Sequence, residues 1–79
     1  MSLTTKTLLR CDGCELRSTT EVDESVFKSI RRATNFLVAE HGESIKLAWN
    51  PTGLYSDVSL ELTARGRAGR TFTLEITQA

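Results

Sequence analysis

Two cysteines separated by two residues, Cys11-Asp12-Gly13-Cys14, and a single histidine, His41, are the residues of this 79-residue chain whose types suit inorganic or nucleophilic chemistry. A Cys-x-x-Cys pair can bind one metal ion, close a strained disulfide or exchange electrons. Thiolate and imidazole are the donors zinc prefers, and a closed structural zinc site needs four of them. The chain has no second cysteine pair. Cys11, Cys14 and His41 are therefore the candidate ligands of a zinc site, with Asp12, Glu40, Glu43 or water as the fourth. Cys11 or Cys14 with His41 is also the only candidate Cys-His nucleophilic pair.

The elements flanking the pair explain why His41 belongs in this set. Leu3–Arg10 reads as a strand, and Leu16, Ser18, Thr20 and Val22 alternate with Arg17, Thr19 and Glu21 in a second one. The cysteines then occupy the tip of a hairpin, where Gly13 is free to adopt positive φ. A helix follows, capped by Thr20 or Asp23 and stopped at Gly42. Val26, Ile30, Ala33 and Leu37 form its apolar stripe, widened by Phe27, Thr34 and Val38. The second strand runs roughly 20 Å away from the tip, and a helix of about 18 residues, roughly 27 Å, returns over it. His41, near the helix end, is thereby expected at the level of the cysteines. Residues 8–16 resemble one knuckle of a zinc ribbon or treble clef. That resemblance implies a zinc-binding hairpin, although Glu15 stands where such knuckles carry glycine, and the partner knuckle could come only from a second chain. A thioredoxin-like redox role fits less well, because strand-like residues follow Cys14 where a helix N-terminus would be needed to acidify the thiol.

Ile45, Leu47 and Trp49 alternate as a third strand, Asn50-Pro51-Thr52-Gly53 reads as a turn, and Trp49 and Tyr55 beside it are candidate interface anchors. Val58, Leu60 and Leu62, then Phe72, Leu74 and Ile76, alternate in two further strands joined by the glycine-rich loop Arg65–Arg70. The order ββαβββ predicts an α+β domain of two layers, an antiparallel sheet with one amphipathic helix on one face. Residues 1–79 make one small domain, of the size that often relies on a metal, a disulfide or a partner for stability.

Ten basic and ten acidic residues give zero formal net charge, without the basic excess of a dedicated nucleic-acid binder. No apolar run approaches the length of a membrane span, no secretory leader is expected at the N-terminus, and the cysteine usage suits reducing cytoplasm. Phosphate-loop, metalloprotease and nucleophile-elbow motifs are missing. The expected function is therefore a non-catalytic binding or regulatory module that contacts another protein. The alternatives are a zinc-stabilised nucleic-acid binder and a small inhibitor of a host complex encoded by a phage or mobile element. The candidate contact residues are Lys28, Arg31 and Arg32 on the helix and Arg65, Arg67 and Arg70 in the loop. Phe27, Phe72 and Trp49 are assigned to the core, and Phe36 to its edge. A homodimer is compatible with the neutral charge.

Overall fold

Alternation in the first and last segments builds the middle of the sheet. The computed structural model describes residues 3–56 and 59–79. It contains strands β1 (Thr4–Cys11), β2 (Cys14–Val22), β3 (Asn50–Ser56), β4 (Ser59–Arg65) and β5 (Thr71–Gln78), with helix α1 (Val26–His41) between β2 and β3. The five strands form one antiparallel sheet in the order β2-β1-β5-β4-β3. The chain leaves the sheet at edge strand β2, crosses one face as α1, and re-enters at the opposite edge as β3. No helix among the described residues is long and apolar enough to cross a membrane. Val58 and Asp57 lie outside the described residues, as does the side chain of Tyr55.

The core lies between α1 and the central strands. Leu9 of β1, Leu62 and Ala64 of β4, and Phe72, Leu74 and Ile76 of β5 are buried, together with Ala33 and Leu37 of α1. Each of the large side chains contributes about 1.5–3 kcal/mol by leaving water. Among the described residues no helix covers the other sheet face. That face carries threonines, the Arg10–Glu75 pair at 3.1 Å, and the Thr52 hydroxyl, which donates to the Glu61 carboxylate and shares a hydrogen bond with the Thr63 hydroxyl.

Helix α1 stops as expected, with Gly42 left-handed at φ 65° and its N–H on the Leu37 carbonyl. Its start differs. Ser25 is the N-cap and accepts from the Lys28 N–H at 3.1 Å, whereas Asp23, at φ 56°, exchanges hydrogen bonds with the backbone of Leu3 and ties the hairpin's open end together. Phe27 is not in the core: it is 84 % exposed. The buried line runs through Ser29, Ala33 and Leu37, because Ser29 donates to the buried Glu24 carboxylate at 2.9 Å. That rotation leaves Phe27 about 120° around the helix from Ala33.

Three further expectations are overturned. Ile45–Trp49 is not a strand: Ile45 and Lys46 form a turn, and Leu47 and Trp49 pack on the core without joining the sheet. The register Asn50↔Thr63 leaves only the last two residues of β4 for anything preceding Asn50. Asn50–Gly53, read as a turn, belongs to β3, an edge strand whose register is broken twice. Such an edge tolerates Pro51 because its missing donor faces away from the ladder. In β2 a bulge at Leu16 shifts the alternation: Leu9 faces Arg17, but Arg10 faces Glu15. Leu16 still packs on the core, yet Arg17, Thr19 and Glu21 now face the helix side, while Ser18, Thr20 and Val22 are exposed on the other.

Candidate functional site

The spacing of the two cysteines follows from the turn between them. Asp12 and Gly13 both have positive φ, 50° and 87°, as the two central residues of a type I′ hairpin turn require. Cys11 and Cys14 are therefore directly opposed across the hairpin, and both are free thiols. Cys11 packs against the core edge and Cys14 stands in solvent. Asp12 is engaged: its Oδ1 accepts from the Thr71 N–H at 3.1 Å and its own N–H donates to the Thr71 carbonyl at 2.9 Å. The tip is thus anchored to the start of β5. Burial raises the Cys11 pKa, the Asp12 carboxylate adds to this and accepts its hydrogen bond, Glu43 adds a little more, and only the Arg70 guanidinium opposes it. The thiolate that metal binding or nucleophilic attack needs is disfavoured there.

The helix does return to the level of the tip, but His41 is not the residue it delivers. The His41 ring lies edge-on to Phe36, 5.3 Å between centroids. Glu43, just past the Gly42 cap, is the side chain that arrives. It is 5 % exposed, accepts from the Arg67 N–H at 2.7 Å and pairs with the Arg70 guanidinium. Gly66 makes room for this, since a Cβ there would fall on the Phe72 ring and the Glu43 carboxylate. Among the described residues no group of three or more His, Cys, Asp and Glu side chains is placed to hold a metal ion. The expected Cys11–Cys14–His41 convergence is thereby corrected: a buried ion pair closes this end of the fold.

The six candidate contact cations also separate. Arg70 is spent on Glu43. Arg32 is spent at the other end of the helix, 2.8 Å from the buried Glu24 carboxylate and 3.2 Å from Glu21. Arg65 ends β4 and Arg67 opens a short 3₁₀ turn (Arg67–Gly69), both exposed. Lys28 and Arg31 stand exposed on α1, and among the described residues neither has a carboxylate partner.

Lys28 and Arg31 border an open groove of about 430 Å³ between α1 and β2. Its walls include Arg17, Arg32, Phe36 and Glu40. Arg17 comes from the inward-facing side of β2 and lies over the Phe36 ring, 4.9 Å from its centroid, a cation–π arrangement. Sequence reading missed Arg17, because the bulge at Leu16 is what turns it toward the helix. No protein-family model matches the sequence, and neither the curated proteins nor the solved structures contain a match.

Proposed function

We propose that this chain is a non-catalytic protein-binding module whose contact surface is the groove between α1 and β2. The observation that carries this reading is the contrast among the cations. Arg32 and Arg70 are neutralised by buried carboxylates, whereas Lys28, Arg31 and Arg17 gather around one groove that holds a single carboxylate, Glu40, besides them. Phe36 supplies an aromatic wall and Phe27 a further exposed ring on the same helix. Arginine and aromatic groups together characterise the energetic centres of protein interfaces. Three cations on a chain of zero net charge make a small electrostatic footprint, which favours a protein partner over a nucleic-acid backbone.

Affinity capture tests this reading. Immobilised wild-type chain and a Lys28→Glu/Arg31→Glu variant are presented with nuclease-treated lysate of the source cells, and each captured protein is purified and its binding re-measured. A protein that binds wild type directly and is lost on charge reversal is the expected result. Equal capture by both chains, or capture abolished by nuclease, would overturn it.

A further inference from the structure

The groove lies beside an open sheet edge, and the two features select the same kind of ligand. In the β1–β2 ladder, Asp23 exchanges with Leu3, and the register then places Glu21, Thr19 and Arg17 in the hydrogen-bonded pairs with Thr5, Thr7 and Leu9. By alternation, the N–H and C=O groups of Ser18, Thr20 and Val22 point away from β1. Beta-2 is the terminal strand of the sheet, so among the described residues no strand receives them. The opposite edge, β3, is blunted by Pro51 and two breaks in register. From Arg17 to Val22, by contrast, β2 is regular and contains neither proline nor glycine.

A strand added at this edge would alternate its side chains between the two faces of the sheet. Those opposite Arg17, Thr19 and Glu21 would lie on the helix side, where Arg17 borders the groove with Lys28, Arg31 and Phe36 and Glu21 is already paired with Arg32. Those opposite Ser18, Thr20 and Val22 would lie on the uncovered face. We infer that the groove and the β2 edge together bind an extended acidic segment of a partner protein, which adds to the sheet as a sixth strand with its carboxylates at alternate positions on the helix side. Main-chain hydrogen bonds supply affinity in this mode, and the alternate side chains supply selectivity. A second copy of the chain fits less well, since pairing β2 with β2 would set two rows of Lys28 and Arg31 on the same face of one seam. The inference rests on the protein-binding reading above and specifies the ligand.

The test uses a capped, fluorescently labelled nonapeptide alternating valine and glutamate, with binding read by anisotropy at low salt. Wild type is expected to bind it. Thr20→Pro, which removes an outward N–H while leaving the β1 ladder intact, and Lys28→Glu/Arg31→Glu are each expected to weaken binding by about tenfold or more. Peptide controls do not depend on a variant folding. For a strand added antiparallel to β2, N-methylation of the valines, whose N–H groups then face β2, should abolish binding, and N-methylation of the glutamates, whose N–H groups face away, should spare it. Replacing glutamate by glutamine should also abolish it. Loss on charge reversal with indifference to Thr20→Pro and to valine methylation would overturn strand addition while leaving the protein-binding reading standing. Equal binding of the glutamine peptide would overturn the acidic specificity. Absence of binding by wild type, tighter binding of an oligothymidylate that displaces the peptide, or a dimer abolished by Thr20→Pro would overturn the inference. Failure of the protein-binding reading itself would appear separately, as lysate capture that ignores the charge reversal.

Discussion

Environment separates residues of one type most sharply at Phe27 and Phe72 and at the two cysteines. Phe72 is fully buried and Phe27 is 84 % exposed. Phe72→Ala is therefore expected to cost about 3–5 kcal/mol, enough to unfold much of a small domain. Phe27→Ala is expected to change stability by less than about 0.5 kcal/mol. Urea titrations of both variants check this pair; a large loss for Phe27→Ala would mean that its ring packs on the fold. The thiols differ likewise. Cys14 is exposed, while Cys11 is half-covered with its pKa raised by burial and Asp12. Iodoacetamide at pH 8 should alkylate Cys14 well before Cys11, as resolved by peptide mass spectrometry. The unfolded chain ionises this thiol first, so its contribution to stability is complete below the ordinary thiol range, about 8.5, and is lost as pH rises through the folded value. Cys11→Ala should flatten the alkaline limb of the stability curve.

The elements are held in register by charges at the two ends of α1. Glu24 precedes its cap and pairs with Arg32, and Glu43 follows its stop and pairs with Arg70. A buried carboxylate left alone is costlier than a half-exposed guanidinium left alone. Arg70→Ala is therefore expected to destabilise by several kcal/mol, and Glu43→Gln in the same chain to restore part of that loss in a double-mutant cycle. Additive losses would contradict the pairing. These buried carboxylates were not legible in the sequence, because Arg70 is 27 positions from Glu43 and nothing local marks either residue as internal. The alternation of Phe72, Leu74 and Ile76 was legible, as was the Gly42 stop, since both are local consequences of side-chain period and backbone conformation. The β2 bulge was not. A single extra residue at Leu16 reverses which side chains meet the helix, and the linear pattern of polar residues there suits either face. Ile45–Trp49 has a strand's alternation but lacks a partner segment in reach, a condition set by tertiary register.

For the whole molecule, the antiparallel two-layer architecture and the return of the helix to the hairpin tip followed from counting residues. The identity of what meets there did not: Glu43 and Arg70 occupy the end of the fold where the zinc ligands were expected, and the contact surface we propose keeps Lys28 and Arg31 of the expected cations, adds Arg17 and leaves out the loop arginines. With Asp12 bound to β5 and His41 turned to Phe36, a chelator is expected to leave Tm unchanged. A fall in Tm on adding EDTA, read by circular dichroism, would instead show a metal held by cysteines from two chains. The measurement that bears most directly on the seam is a map of amide chemical-shift changes in the ¹⁵N-labelled chain as the valine–glutamate peptide is added. The account predicts that the changes concentrate on Arg17–Val22 and on α1 from Lys28 to Phe36, with β3 and the Arg67–Gly69 turn silent. Changes centred on that turn or on the uncovered sheet face, with β2 unmoved, would contradict it.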